Sequence, residues 1–159
     1  MIVVADTSPI HYLVLIGFAD VLFPLYDRVV VPDTVAQELQ RHGAPEAVHK
    51  WITTPPEWCE VRPDPPRDPA LSRFLDAGES AAIALAIAVS ADRLLIDDWD
   101  GRVEAERRRL LVTGTLGVLA EAHQQRLLDF ETALARLSQT TFYLSDELIV
   151  HIRRSLNRQ

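Results

Sequence analysis

The chain has 159 residues and a formal net charge of −7, with 48% hydrophobic and 25% charged residues. This composition suits one folded domain with a sizeable core, so we predict a single domain over 1–159. The negative balance argues against a protein that coats nucleic acid through bulk electrostatics, although an enzyme could act on nucleic acid through a metal and a local basic rim. Cys59 is the only cysteine, which excludes an internal disulfide.

The chain shows no apolar run long enough to cross a bilayer, and its N-terminus lacks the basic region and cleavage site of a signal peptide. We therefore expect a cytoplasmic protein that has no membrane partner.

The first residues predict a buried strand followed by a helix. Residues 2–4 form a continuous β-branched run that stops at Asp6, and Ser8 precedes Pro9. This pair predicts a helix whose first turn is capped by the serine hydroxyl. Asp6 should then lie at the carboxyl end of the strand, where open α/β sheets bind ligands. The alternative is that Asp6 serves only as a cap or turn residue.

The rest of the chain predicts alternating strands and helices. Strands are predicted at 28–31, 93–96 and 110–112, with a short edge strand at 58–61. Helices are predicted at 10–16, 18–25, 34–41, 45–52, 75–89, 101–109, 116–125, 129–137 and 145–156. The proline-rich segment 63–69 is predicted to be a flexible connection. This alternation predicts a short, mainly parallel sheet with helices on both faces, a three-layer α/β/α sandwich.

Acidic residues recur at positions that such a sheet would bring to one edge. Asp6 and the pair Asp97 and Asp98 follow strands, whereas Glu38 and Glu79 lie near the starts of helices. Carboxylates forced together repel each other, so the cluster needs a cation, and hard oxygen ligands suit Mg²⁺ or Mn²⁺. Such a metal can activate water and stabilise charge on a phosphoryl group.

Each acid also has a purely structural interpretation. Glu38 could be an ordinary exposed helix residue, and Glu79 follows Asp76 at the spacing of a capping box. Asp97 and Asp98 could form a turn cluster before the next helix. Spacing alone leaves these alternatives open.

Five stretches, taken in order, carry a resemblance to a known family. They are Val4-Ala-Asp6-Thr-Ser8, Val31-Pro-Asp-Thr-Val-Ala-Gln-Glu38, Leu75-Asp-Ala-Gly-Glu79-Ser-Ala-Ala-Ile-Ala-Leu-Ala86, Leu95-Ile-Asp97-Asp98 with Gly101-Arg102, and Gly114-Thr-Leu-Gly-Val-Leu119. The chain resembles the PIN-domain family, in its compact prokaryotic VapC-like type, whose members are often toxins of toxin–antitoxin pairs. The resemblance implies a Rossmannoid α/β/α fold and Mg²⁺- or Mn²⁺-dependent cleavage of RNA phosphodiesters. The alternative function is a non-catalytic PIN-fold module that binds RNA or a protein.

The resemblance also implies roles for individual residues. Asp6 matches the first metal-site aspartate, and Thr7 or Ser8 matches the substrate-site hydroxyl beside it. Glu38 matches the helix glutamate. Glu79 stands where many relatives carry aspartate, and its longer side chain could still reach a metal.

The last acid of the resemblance is matched best by Asp98, with Asp97 adjacent and possible as a metal ligand. In common relatives a Thr or Ser stands two residues before that acid; this chain departs from the pattern with Ile96, which has no hydroxyl to assist. Arg102 could line a substrate path or belong to a solvated helix face. Trp99 could stack on a base or pack against the helix.

The resemblance further implies an RNA substrate and a small antitoxin protein. Two apolar stretches are candidate docking surfaces, at 18–25 and at the C-terminal residues Phe142, Tyr143, Leu144, Leu148, Ile149 and Ile152. The same surfaces could pair two copies of the chain, and we expect a homodimer.

Overall fold

The computed structural model describes residues 1–158, in which strands and helices alternate along most of the chain. The strands are β1 (Ile2–Ala5), β2 (Arg28–Pro32), β3 (Cys59–Arg62), β4 (Arg93–Leu95) and β5 (Val112–Thr113). The helices are α1 (Thr7–Leu15), α2 (Leu22–Tyr26), α3 (Asp33–Leu39), α4 (Glu46–Thr53), α5 (Pro69–Ser72), α6 (Ala77–Ala88), α7 (Trp99–Arg107), α8 (Thr115–Gln124), α9 (Phe130–Leu137) and α10 (Asp146–Asn157).

The five strands form one sheet in the order β3-β2-β1-β4-β5, and every neighbouring pair is parallel. Helices cover both faces of this sheet, so the predicted α/β/α sandwich is confirmed. The predicted edge strand near residue 59 is indeed an outer strand, β3.

The sheet is buried on both faces because its strands are apolar at consecutive positions. Val3 and Ala5 pack into a large cluster with α1, α3, α8 and the C-terminal helices, whereas Val4 packs into a second cluster with α6 and α7. Successive strand side chains point to opposite faces, so a continuous apolar run supplies both clusters.

The first helix begins earlier than predicted, and the prediction that Ser8 caps it is wrong. Helix α1 starts at Thr7, Asp6 occupies the capping position with extended backbone, and its side chain makes no capping hydrogen bond. Pro9 is then the third helical residue. This position is tolerated because the first N–H groups of a helix have no intrahelical acceptor. The Ser8 hydroxyl is thereby free for a different contact, described below.

The boundary between α7 and β5 also differs from the prediction. Arg109 has a positive φ of 64°, and the N–H of Leu110 bonds to the carbonyl of Ala105, 3.0 Å away. This is the hydrogen bond of a Schellman motif, so residue 110 belongs to the end of the helix. The predicted strand 110–112 is therefore shorter and shifted, and β5 contains only Val112 and Thr113.

The proline-rich segment predicted to be flexible is held near both ends. Asp64 accepts hydrogen bonds from the backbone N–H and the hydroxyl of Thr34, in the first turn of α3. Asp68 pairs with Arg108, with 3.0 Å between Oδ2 and Nη1. Because Pro32 at the capping position of α3 offers no capping side chain, Asp64 supplies the cap from a distant loop.

Only part of the predicted C-terminal apolar surface is buried. Ile149 and Ile152 face the core at 8% exposure, whereas Leu148 remains exposed. Of the stretch 18–25, Phe23 stays half exposed. Among residues 1–158, no helix is both long enough and apolar enough to cross a membrane.

Replacing Asp64 by alanine should destabilise the protein, because α3 loses its only side-chain cap. We expect a loss of about 1 kcal/mol in the free energy of unfolding and a Tm lower by about 2–4 °C. Thermal unfolding followed by circular dichroism measures both. Glu57→Ala, a change at an exposed acid, is the control, and an equal Tm for the two variants would contradict the assignment.

Candidate active site

The strand order places the candidate site where the sheet changes direction. From β1 the chain passes outward to β2 and β3, and then returns to β4 on the other side of β1. The crevice beyond the carboxyl ends of two such neighbouring strands is the usual ligand site of open α/β sheets. Asp6 follows β1, and Asp97 and Asp98 follow β4 closely.

Asp6 is the most deeply buried acid of the site, with 6% of its surface exposed. Burial raises its pKa from 3.8 to about 8. A hydrogen bond from the Thr7 backbone opposes this rise, and the negative charges of Asp76, Glu79 and Glu38 add to it. The carboxyl group thus lies among other acids in a poorly solvated position.

Glu79 has the capping role that its spacing predicted. Its N–H bonds to the Asp76 carboxylate at 2.8 Å, and its own carboxylate accepts the Asp76 N–H at 3.2 Å, so the capping box forms. Glu79 also lines the cleft described below, and burial raises its pKa to about 7, assisted by the charges of Asp76 and Asp98. A hydrogen bond between the side chains of Glu79 and Asp98 raises it further.

Glu38 reaches the site because a glycine makes room for it. Its carboxylate accepts a hydrogen bond from the Thr7 hydroxyl. A Cβ atom at Gly78 would lie 2.5 Å from Oε2 and 2.8 Å from Oε1 of Glu38, closer than any real contact. The carboxylate therefore lies directly against the backbone of α6, next to Glu79.

Asp97 is engaged by three hydrogen bonds. Its Oδ2 accepts from the hydroxyls of Ser8 and Thr115, each at 2.7 Å, and its Oδ1 accepts from the Thr115 N–H at 2.7 Å. A Cβ atom at Gly114 would lie 2.9 Å from Oδ1 of Asp97 and 2.8 Å from a guanidinium nitrogen of Arg102. Asp97 thus joins the starts of α1 and α8 to the end of β4.

Asp98 is the exposed acid of the pair. Besides its contact with Glu79, its side chain accepts a long capping bond, 3.4 Å, from the N–H of Gly101 at the start of α7. Gly101 is itself required, because a Cβ atom there would stand 2.6 Å from the terminal methyl group of Ile96 and 3.7 Å from the carboxyl carbon of Glu79. Ile96 is fully buried and has no hydroxyl group. The hydroxyls at this site come from Thr7, Ser8 and Thr115.

These side chains share one cleft of about 1320 Å³, which we call the acidic cleft. All seven predicted site residues line it, namely Asp6, Ser8, Glu38, Glu79, Asp97, Asp98 and Arg102. Its opposite wall comes from α10 and the segment before it, which the sequence indicated only as a docking surface. Arg102 is the only arginine in the lining, and lysine is absent from it.

The donors of the acidic cleft fit a divalent cation. Within residues 1–158, none of the five predicted acids forms an ion pair with a basic side chain. In the same part of the chain, no three His, Cys, Asp or Glu side chains lie in an arrangement that could hold a metal ion. The uncompensated charge and the oxygen donors suit a cation held by one or two carboxylates and completed by water, as is common for Mg²⁺.

Two contributors were missed as site residues at the level of sequence. Asp76 was identified only as a capping partner of Glu79, although its charge raises the pKa of Asp6. Thr115 was identified only as part of a helix start, although its hydroxyl and N–H hold Asp97. Both residues lie beside a glycine of the family motifs, Asp76 near Gly78 and Thr115 next to Gly114. Those glycines are the sequence features that could have pointed to Asp76 and Thr115.

Fold and site together define an α/β/α protein with a carboxylate cleft at the carboxyl edge of a parallel sheet. The fold is similar to that of a PilT N-terminus domain protein, SSO1118, from the hyperthermophilic archaeon Sulfolobus solfataricus P2. The TM-score is 0.50 at 16% identity, and the match covers 91% of this chain and 100% of the other. A family model described as DUF3368, PIN domain, matches residues 2–158, and the chain belongs to this PIN-domain family. No curated protein matches the chain.

PIN domains are generally nucleases and typically use divalent metals. The chain therefore has a nuclease-type fold. The assignment of individual site residues remains a prediction.

Replacing Asp97 by alanine should destabilise the protein far more than the same change at Asp98. Three charge-assisted hydrogen bonds are lost in the first case, and one long capping bond and the contact with Glu79 are lost in the second. We expect losses of about 2–4 kcal/mol and about 0.5–1 kcal/mol respectively. Urea unfolding in the presence of a chelator measures both values, and equal losses would show that Asp97 does not hold α1 and α8 in place.

The metal-free protein should lose stability as the pH rises from about 4 to 8. Over this range an unfolded aspartate is ionised while native Asp6, with its pKa near 8, keeps its proton. The native state therefore binds more protons, and its free energy of unfolding falls with pH. Glu79, with its pKa near 7, contributes in the same direction.

Asp6→Asn should flatten this pH dependence, because the amide carries no titrating proton, and should stabilise the metal-free protein above pH 7. Chelator-treated samples unfolded in urea at several pH values provide the test, with Asp100→Asn as the control. Parallel curves for wild type and Asp6→Asn would contradict the raised pKa.

Proposed function

We propose that this chain is an endoribonuclease that hydrolyses RNA phosphodiester bonds with Mg²⁺ or Mn²⁺ in the acidic cleft. One observation supports this above all others. The buried Asp6 has no basic partner among residues 1–158, and it lies beside acids contributed by separate elements. A site that gathers negative charge in this way suits a cation and the phosphate that a cation attracts.

We assign the cation to Asp6 and Asp98. Asp97 is the weaker candidate, since Ser8 and Thr115 already occupy its oxygens. A divalent cation there supplies a Lewis acid for the phosphoryl group and lowers the pKa of a bound water. Asp97 acts instead by positioning the residues that it joins.

The remaining cleft residues complete the assignment. Glu38, held by the Thr7 hydroxyl, and Glu79, held by the capping box, present carboxylate oxygens that orient water. Arg102 contributes the guanidinium group that binds a phosphate oxygen of the substrate. The net charge of −7 makes the cation necessary for binding, because phosphates are otherwise repelled.

Asp6→Asn should abolish metal-dependent RNA cleavage while the protein stays folded. The loss should exceed the roughly 10- to 100-fold that follows removal of a residue which only supports a metal ligand. Cleavage of a panel of RNAs with Mg²⁺ or Mn²⁺ measures it. Asp100→Asn is the control, because Asp100 is an exposed acid in the first turn of α7 and lies outside the cleft lining.

The outcomes separate the two candidate functions. Full cleavage by Asp6→Asn would overturn the assigned site. An inactive wild-type protein whose Tm does not rise with millimolar Mg²⁺ or Mn²⁺ would favour a non-catalytic PIN-fold module that binds RNA or a protein.

A toxin role extends the same proposal. An enzyme that cleaves cellular RNA must be restrained, so we propose a small antitoxin partner and a homodimeric toxin. The exposed apolar side chains Phe23, Leu148 and Val150 offer surface for such contacts. The same pair of variants tests this role in a host cell. Growth should slow when Asp100→Asn is expressed and should remain normal when Asp6→Asn is expressed. Harmless expression of both would count against the toxin role.

A further inference from the structure

Two of the most exposed aromatic side chains in the described part of the chain lie on the acidic cleft. Tyr143 is 85% exposed and Trp99 is 75% exposed, and both line the cleft. The third such residue, Phe74, is 80% exposed and lies outside the cleft lining. Of the two alternatives for Trp99, packing against the helix is disfavoured, because its ring is open to solvent.

Trp99 is carried by a well-anchored helix end. It is the first residue of α7, directly after the capping residue Asp98. Gly101 packs tightly against Ile96, and Ala105 is buried in the cluster under α6. The backbone that holds the indole ring is thus fixed on the α6 and α7 side of the sheet.

Tyr143 is anchored on the opposite layer. Its neighbour Phe142 packs edge-on against Tyr12 of α1, with ring centroids 5.0 Å apart, and the Tyr12 hydroxyl bonds to that of Thr141 at 2.9 Å. Ser145 caps the following helix α10. These contacts hold the backbone of Tyr143 while its ring stays exposed.

Because the cleft is strongly acidic, an RNA that binds there needs contacts to its bases as well as to its phosphates. Its lining contains one arginine, Arg102, against eight acidic residues, which are Asp6, Glu38, Asp76, Glu79, Asp97, Asp98, Glu121 and Glu147. Phosphate contacts alone therefore provide little binding to a polyanion. Aromatic rings bind any unpaired base through its π-face without requiring a positive charge.

We propose that Trp99 and Tyr143 stack on unpaired bases of a single-stranded RNA segment that crosses the acidic cleft from one layer of the sandwich to the other. The inference rests on the proposed function for the position of the scissile phosphate. It adds two positioning residues to that function, and both rings require unpaired bases because a paired base has no free face for either ring. Both residues position the substrate and take no part in the chemical step.

The test compares Trp99→Leu, Tyr143→Leu and the control Phe74→Leu. Binding of a fluorescent oligouridylate to each variant is measured by anisotropy with Mg²⁺, in a Glu38→Gln background that slows cleavage and leaves both assigned metal ligands in place. Loss of either cleft ring should raise the Kd about 5- to 100-fold, the range for one stacked base. Phe74→Leu should leave the Kd unchanged, and Trp99→Phe should restore most of the binding.

Two further readouts exclude a merely structural effect. A blunt RNA duplex should bind weakly to every variant and show no dependence on Trp99. In the otherwise wild-type enzyme, Trp99→Leu should raise KM with kcat nearly unchanged, since stacking is equally strong in the ground and transition states.

The failure of this inference differs from the failure of the proposed function. Normal binding and cleavage by both leucine variants would overturn stacking and leave the nuclease assignment intact. If the wild-type protein binds the oligomer through these rings but cleaves no RNA, stacking is supported and the nuclease assignment fails. If the oligomer fails to bind and an arginine-rich peptide binds through the same rings, the cleft serves a basic protein partner and the inference is wrong.

Discussion

The pairing of β1 with β4 is the contact on which the candidate site depends. The strands are parallel, Ala5 is in register with Leu95, and the N–H of Asp6 bonds to the Leu95 carbonyl at 2.9 Å. Residues that follow the two strands must therefore emerge side by side. Because β1 is also the strand at which the sheet order reverses, the helices that follow leave a crevice at this point. The acids gather there as a consequence of topology.

Close approach of backbone segments is the second requirement. Gly78, Gly101 and Gly114 each stand where a Cβ atom would meet a site side chain or the apolar residue beneath it. None of the three has a positive φ, so they are needed for space and not for backbone conformation. Gly78 and Gly101 belong to motifs that also contain a site acid, whereas Gly114 approaches Asp97 from a separate motif.

The site is held together at a cost in stability. A buried carboxyl such as Asp6, surrounded by other acids, favours its neutral form and opposes folding when it ionises. The two apolar clusters on either side of the sheet offset this cost. Sites that bind charge are commonly less stable than the scaffold around them, because the ligand provides the missing compensation.

The sequence by itself determined the layered α/β architecture and the set of acids at one edge. Continuous runs of apolar residues indicate which segments are buried strands. Because the strands are parallel, the residues that follow them lie at the same edge of the sheet. Only the tertiary structure decided that Asp97 accepts three hydrogen bonds from the starts of α1 and α8, that Asp98 stays exposed to solvent, and that the Ser8 hydroxyl bonds to Asp97 and does not cap α1. Those outcomes depend on contacts between residues 18 to 89 positions apart in the chain. Local spacing carries no information about such distances, because they are set by how the helices pack against the sheet.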